Sequence, residues 1–339
     1  MMRIGNYTIL TEQTPGVSGF AAVAGEKEGN GPLGALFDRL YQGDTDGEKS
    51  FEKAESKMQL DAAQRAIEKA RIAPQDIQIA FAGDLLNQCI GTSYGLRELE
   101  IPFAGLYGAC STMAESLAFS ALMVNAGYAQ HALAVTSSHF CSSERQFRFP
   151  LEYGGQRPPT AQWTATAAGA AVVSQNAGPP YIRAVTIGKI VDLGITDINQ
   201  MGAAMAPAAA DTISNYFADS HTKATDYDLI LTGDLAQVGS ALMLKLLERE
   251  GISLEGRHND CGMMLYDRKK QDVHAGGSGC GCSAAVLCAD VLKRIQEGKL
   301  HKVLFVATGA LMSTTSNQQG ESIPAVAHLI YLSDQKEER

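Results

Sequence analysis

Features that would indicate a membrane span, a nucleic-acid partner or a disulfide framework are scarce or missing in this sequence. It contains no run of about 18 apolar residues, the length that a membrane-spanning helix needs. Acidic residues outnumber basic ones by 37 to 28, and the formal net charge of −9 disfavours contact with nucleic-acid phosphates. The first residues, Met1–Asn6, have no apolar core of the signal-peptide type. We therefore expect a soluble protein with no signal peptide, no transmembrane segment and no nucleic-acid partner.

The cysteines and glycines also lack the spacings of common redox, zinc and nucleotide motifs. The cysteines number seven, an odd count, and Cys280 and Cys282 are too close together for a CxxC pair. We expect a reducing compartment and no protein metal site. Between Gly25 and Tyr41 the glycines do not follow the G-x-G-x-x-G spacing, so no nucleotide cofactor is predicted.

The sequence does contain an internal repeat. Gln75–Leu85 and Thr225–Leu235 both read as a short apolar strand followed by Gly-Asp-Leu, at a constant offset of 150 residues. Asp84 and Asp234 therefore occupy matching turns of the two copies. A repeat of this kind indicates that one structural unit is used twice.

A second pair of matching segments follows the first. Gly108–Cys110 leads into a helix and then the strand His131–Thr136, while Gly279–Gly281 leads into a helix and then the strand Lys302–Ala307. Repeated strand–helix–strand units predict parallel sheets covered by helices. We predict an α/β fold of two pseudo-duplicated βαβαβ halves, residues 1–176 and 177–339.

A cysteine at a strand-to-helix turn in the first half of such a chain resembles the thiolase and ketoacyl-synthase superfamily. The resemblance rests on Tyr107–Thr112 at the nucleophile turn, on Gln162–Val172 in the strand that closes the first half, and on Gly277–Ala285 in the second-half turn. It implies a thiolase-like fold with its helices and sheets layered in the order αβαβα.

A narrower resemblance is carried by four further segments together with the Cys110 turn: Val23–Gly29, Ser137–Phe140, Arg157–Trp163 and His274–Cys280. They resemble the stage V sporulation protein AD family of endospore-forming bacteria. This family implies non-enzymatic binding of dipicolinic acid (pyridine-2,6-dicarboxylate), free or as its calcium chelate, with no other cofactor. It also implies uptake of that ligand into the developing spore and its release at germination. The implied partners are integral membrane proteins of the stage V sporulation A channel, which would hold the protein at the spore inner membrane.

The chemistry of Cys110 leaves alternatives open. A thiol at a helix N-terminus is activated by the helix dipole, which favours an acyltransferase of the thiolase or ketoacyl-synthase type. The superfamily resemblance implies two further catalytic groups, but Asp234 stands where a histidine is expected and Ser278 where an asparagine is expected. His274 is a candidate for a surviving thiolase-type histidine. We expect no condensing activity, and Cys110 then lines a pocket or packs as a small apolar residue. A third alternative is a scaffold that only docks onto membrane partners.

A planar dicarboxylate requires cationic or N–H donors at both ends and an apolar slot between them. The helix that starts at Cys110 offers backbone N–H groups. His139, with Ser138 beside it, follows the strand that leaves this helix and is expected on the same side of the sheet. His139 could equally cap that strand. Asp84 and Asp234 are expected to form their turns or to help bind calcium.

Arginines and one tryptophan complete the expected pocket. At least one of Arg145, Arg148 and Arg157 is expected to clamp a carboxylate, and Trp163 is expected to stack on the ring or to pack in the core. The full set of predicted ligand-binding residues is Cys110, His139, Ser138, Asp84, Arg145, Arg157, Trp163, Asp234 and His274. The polar segment His258–Asp260 receives little weight.

The superfamily resemblance also implies a dimer, in which an edge strand of each first half pairs across a two-fold axis. His131–Thr136 is made almost entirely of small apolar residues, as a buried paired edge would be. We therefore expect a homodimer with this strand at its interface.

Overall fold

The first half of the chain forms one sheet in the computed structural model, which describes residues 2–147 and 156–336. Its strands are β1 (Gly16–Ala24), β2 (Ile79–Gly83), β3 (Phe103–Gly105), β4 (His131–Ser138) and β5 (Ala167–Ser174). Their order is β3-β2-β4-β5-β1. Strand β5 runs antiparallel to both of its neighbours, and β2 runs parallel to both of its own.

The second half repeats this sheet strand for strand. Its strands are β6 (Tyr181–Ile187), β7 (Leu229–Thr232), β8 (His258–Asp260), β9 (Lys302–Ala310) and β10 (Ala325–Ser333). Their order is β8-β7-β9-β10-β6, again with β10 antiparallel to both neighbours. The predicted duplicated α/β fold is therefore confirmed. Strand β5 ends at Ser174 and β6 begins at Tyr181, so the predicted boundary falls in the connection between them.

Helices cover both sheets and fill the space between them. They are α1 (Phe51–Ala70), α2 (Ile90–Leu96), α3 (Thr112–Asn125), α4 (Met201–Ser220), α5 (Ala236–Arg249) and α6 (Cys280–Val286), which continues through one π turn (Leu287–Val291) into α7 (Leu292–Gln296). Short helices span Glu26–Gly29, Phe140–Phe147, Cys261–Met264 and Thr314–Gln318. Short strands span Met2–Ile4, Thr8–Leu10, Arg39–Leu40, Trp163–Thr164 and Gly277–Ser278.

The central helices explain the layering. Helix α3 packs on β2 and β4 of the first sheet and also on β9 and β10 of the second, while α6 packs on β4 and β5. Met113, Leu117 and Val124 of α3 are fully buried. A helix that is apolar on all sides is stable only inside the protein, and each such side chain contributes about 2 kcal/mol by leaving water. With α1 and α2 outside one sheet and α4 and α5 outside the other, the layers follow the predicted order αβαβα.

Strand β4 is not an edge strand, so the prediction for His131–Thr136 is wrong. It lies between β2 and β5, paired along its length with both. A central strand buried between two helix layers has apolar residues on both faces. An edge strand paired across a dimer has the same residue pattern, so the sequence does not distinguish the two positions. The edge of the first sheet is β3, where Phe103 is 43% exposed.

Within residues 2–147 and 156–336, no helix is long and apolar enough to span a membrane.

Candidate functional site

Cys110 lies in a tight turn immediately before α3. Ala109 adopts the left-handed region with φ of 52°, and the turn is closed by hydroxyls: Ser111 Oγ donates to Gly108 O at 2.7 Å and Thr112 Oγ1 donates to Ala109 O at 2.6 Å. Gly309 of β9 passes close to this turn: a Cβ atom on Gly309 would lie only 2.1 Å from Gly108 O, so only glycine fits at this position. The turn is thus held against the second sheet, and Cys110 is buried with 6% exposure.

A cavity of about 310 Å³ opens beside Cys110. Its walls are largely apolar, from Leu85, Phe147, Met201, Ala310, Leu311 and Met312. Hydroxyl groups and one carboxyl group add polar atoms: Tyr107, Ser143, Thr164, Ser278, Ser313, Ser316 and Glu144. Glu144 Oε1 accepts a hydrogen bond from Thr164 Oγ1 at 3.1 Å. No lysine, arginine or histidine is among the described residues that line it.

Asp234 lies near Cys110 and is linked to it through Ser278. Asp234 Oδ2 accepts hydrogen bonds from Gly279 N at 2.9 Å and from Ser278 Oγ at 3.1 Å, and Ser278 Oγ is 3.9 Å from Cys110 Sγ. Burial raises the pKa of Asp234 to about 7. Burial, followed by the negative charge of Asp234, raises the pKa of Cys110 well above its ordinary value. The thiol therefore stays protonated, although it sits at a helix N-terminus.

Asp84 has the matching sequence position but a different role. Its Oδ1 accepts from Leu86 N at 2.7 Å, and its Oδ2 accepts from Thr92 N at 2.7 Å and from Thr92 Oγ1 at 2.6 Å. Both oxygens are thus used to hold the turn and the start of α2. Asp84 is a turn-forming residue and does not line the Cys110 cavity.

In the second half, the corresponding turn is held by Asp260 of β8. Its Oδ2 accepts from Leu235 N at 2.9 Å and from Thr232 Oγ1 at 2.7 Å, while its Oδ1 accepts from Ala236 N at 2.9 Å. Sequence reasoning missed this residue and Glu144. The only signals were the polar segment His258–Asp260 and the position of Glu144 shortly after His139.

His139 and Ser138 are buried and bonded to backbone groups outside the cavity. His139 Nε2 lies 2.7 Å from Asp44 O, and Nδ1 accepts from Cys141 N at 3.2 Å. This pattern makes Nε2 the protonated nitrogen, and burial lowers the pKa of His139, so the ring is neutral. Ser138 Oγ donates to Ala165 O at 2.7 Å. Both side chains secure neighbouring loops.

The remaining predicted residues lie on other surfaces. Arg145 is 47% exposed and pairs with Glu52. His274 Nε2 lies 3.2 Å from Asp272 Oδ1. The Arg157 guanidinium lies 4.5 Å from the ring centroid of Trp163, and Trp163 lines a second cavity. Arg148 lies outside the described residues. Of the predicted set, the structure brings together Cys110 and Asp234, joined by Ser278.

The fold defines the class of this protein. Over 94% of this chain and 99% of that one, it superposes on the 3-oxoacyl-[acyl-carrier-protein] synthase III of Aquifex aeolicus with a TM-score of 0.56 and 14% identity. A variant of OleA from Xanthomonas campestris gives a TM-score of 0.59 and 13% identity, over 97% of this chain and all of that one (100%). The fold is therefore thiolase-like, as in the ketoacyl synthases, and at such identities the likeness concerns the fold alone.

Sequence comparison then gives the family. The family model described as stage V sporulation protein AD matches residues 5–333. The stage V sporulation protein AD of Bacillus subtilis strain 168 is 48% identical over 328 residues, which is 97% of each chain. This chain belongs to the stage V sporulation protein AD family, and the resemblance seen in its segments is confirmed.

Proposed function

We propose that this protein binds dipicolinic acid without chemically changing it, and that it serves the uptake of this ligand into the developing spore and its release at germination. One observation carries the proposal: the cavity is retained beside Cys110, but the thiol faces the carboxyl group of Asp234. Family membership supplies the sporulation context.

The Asp234–Cys110 arrangement opposes the acyltransferase alternative. Acyl transfer needs a thiolate and donors that stabilise the developing oxyanion. Loss of a single such donor typically slows the reaction by about 10²–10³, and Asp234 places a potential negative charge at this point. The cavity can therefore bind a ligand while the step that would attack it is suppressed.

The cavity suits a small planar ligand whose charge is balanced. Its volume of about 310 Å³ lies within the range of small-molecule sites, and its hydroxyl groups can donate to carboxylate oxygens. Glu144 and the nearby Asp234 would repel a free dianion. The one-to-one calcium chelate is neutral, and calcium accepts carboxylate ligands such as Glu144. We propose the chelate as the preferred bound form, with calcium as part of the ligand.

Partners and assembly follow from the same proposal. Integral membrane proteins of the stage V sporulation A channel would hold the protein peripherally at the spore inner membrane. We also propose a homodimer, now through β3, because among the described residues this edge strand pairs only with β2 and carries Phe103, which is 43% exposed. A sedimentation mass of one chain at micromolar concentration would contradict the dimer.

Calorimetry on the purified chain tests the binding proposal. Dipicolinate should bind, and an equimolar amount of calcium should tighten the binding. The isomer pyridine-3,5-dicarboxylate, which has the same charge but cannot chelate through its ring nitrogen, should not bind. Ala310→Phe fills the cavity and should abolish the signal, whereas Leu193→Phe on the exposed surface should preserve it. Absence of heat with either form of dipicolinate would favour the scaffold alternative, and a mass increase on Cys110 with acetyl-CoA would favour the acyltransferase.

A further inference from the structure

A second cavity, of about 460 Å³, lies on the other side of the short strand Trp163–Thr164. Successive side chains of a strand point in opposite directions, so Thr164 lines the Cys110 cavity while Trp163 lines the second one. The second cavity is built from Gly25–Asn30 and Trp163, which belong to segments that carry the family resemblance. The Cys110 site makes no use of these segments.

One wall of this cavity already holds an ammonium group against an aromatic ring. Phe140 stacks on Trp163 with ring centroids 3.8 Å apart and planes 11° apart. Lys27 Nζ lies 3.5 Å from the Trp163 centroid. Because the Phe140 ring and the Lys27 ammonium are both this close to Trp163, they lie on opposite faces of its ring. Cation–π contact of this kind stabilises organic cations in proteins.

A buried carboxyl group lines the same cavity. Glu28 is 1% exposed; its Oε1 accepts from Thr166 N at 3.1 Å and from the Tyr266 hydroxyl. Its Oε2 has no hydrogen-bond partner among the described residues. A Cβ on Gly25 would lie 2.8 Å from Oε2, so a larger residue at this position would crowd the oxygen. A buried acceptor without a partner is costly unless a donor reaches it.

The balance of charge indicates which donor fits. Among the described residues, three acidic ones, Glu26, Glu28 and Asp44, line the cavity together with Lys27, and the Arg157 guanidinium lies 4.5 Å from the Trp163 ring, so acidic groups outnumber basic ones by three to two. We propose that this cavity is a second binding site, which takes a primary ammonium group that donates to Glu28 Oε2 while its carbon chain packs against Phe140 and Trp163. Such a group could belong to a free alkylamine or to a lysine side chain. The site is independent of the dipicolinate proposal.

Trp163 is the only tryptophan in the chain, so its fluorescence reports on this cavity directly. Titration of the full chain with n-butylammonium should change the emission and saturate at about 10 mM or below. The neutral isostere n-butanol should produce no saturable change. A capped lysine peptide is the second arm: binding tighter than that of n-butylammonium assigns the site to a partner's lysine, and binding equal or weaker assigns it to free amines.

Two variants connect the signal to Glu28. Glu28→Gln replaces the carboxyl group with an amide of the same shape and should weaken n-butylammonium binding about tenfold. Gly25→Ala leaves the acid in place but places a Cβ 2.8 Å from Oε2, and it should weaken binding to a similar extent. Thermal unfolding of each variant verifies folding, and Gly25→Ala carries the test alone if Glu28→Gln does not fold. The proposal is overturned if n-butylammonium gives no saturable change, if n-butanol gives the same change, or if the folded variants bind like the parent.

Discussion

The Gly-Asp-Leu turns of the two halves have the same sequence and different tasks. Asp84 uses its carboxyl oxygens to hold its own turn and the start of α2, whereas Asp234 directs its carboxyl group to Ser278, Gly279 and Cys110. The neighbouring strand explains the difference. In matching register, Gly105 pairs with Ala82 in the first sheet and Asp260 pairs with Thr232 in the second.

In the second half, the carboxyl group of Asp260 on β8 therefore accepts the hydrogen bonds that hold the turn. Asp260 accepts from Leu235 N and Ala236 N. Once the turn is held from outside, its own aspartate can serve the site. The comparison shows how a duplicated turn acquires a new function through one residue on an adjacent strand.

The largest effect should come from removing the residue that holds the second turn. Asp260→Ala leaves several buried donors without an acceptor, each worth about 1–3 kcal/mol, so the unfolding free energy should fall by about 3 kcal/mol or more. Asp234→Ala should cost clearly less, since fewer donors lose their acceptor: Ser278 Oγ and Gly279 N, against Thr232 Oγ1, Leu235 N and Ala236 N at Asp260. Urea unfolding of both variants measures this difference, and equal losses would contradict the division of labour between Asp260 and Asp234.

The pH dependence of stability should show the titration of Asp234. Burial raises the pKa of Asp234 from 3.8 to about 7, so the folded state binds its proton more tightly than the unfolded state does. The stabilisation is complete below about pH 4 and is lost as the pH rises through 7. Between pH 6 and 7 this group alone should lower the unfolding free energy by about 1 kcal/mol. Asp234→Asn should remove that portion of the slope. A slope identical to that of the parent would contradict the assigned titration.

Ligand binding should be least affected by the two residues that the sequence placed at the centre of the pocket. Cys110→Ala should weaken dipicolinate binding less than tenfold, because the hydroxyl groups of the cavity remain. His139→Ala should reduce the unfolding free energy by about 2 kcal/mol, through the loss of its two backbone hydrogen bonds, with no change in affinity. Calorimetry beside urea unfolding distinguishes the two effects. A large loss of dipicolinate affinity in folded His139→Ala would contradict this expectation and would indicate that His139 contributes to the binding site.

Much of the fold could be predicted because the repeated strand–turn units keep a constant spacing that is visible in the sequence. Cys110 at the start of its helix, and Asp84 and Asp234 in matching turns, were predicted from the same repeats. The grouping of side chains could not be predicted, because it depends on pairings far apart in sequence. Trp163 and Thr164 face different cavities only because this strand pairs with Gly277–Ser278. Likewise, Asp84 and Asp234 are equivalent in the sequence repeat. Only the pairing of β7 with β8 shows that Asp260 lies beside the turn of Asp234.

The central claim is that burial, together with the neighbouring carboxyl group of Asp234, keeps Cys110 as an unreactive thiol. The most direct measurement is the pH dependence of Cys110 alkylation by iodoacetamide, followed by mass spectrometry of the peptide that contains Cys110. In the parent protein the alkylation rate should show no thiolate titration up to about pH 9, and Asp234→Asn should raise the rate by about tenfold at a given pH. Asp84→Asn, the matched control, should leave the rate unchanged. A parent Cys110 that alkylates with a pKa at or below the ordinary value of about 8.5 would contradict the account.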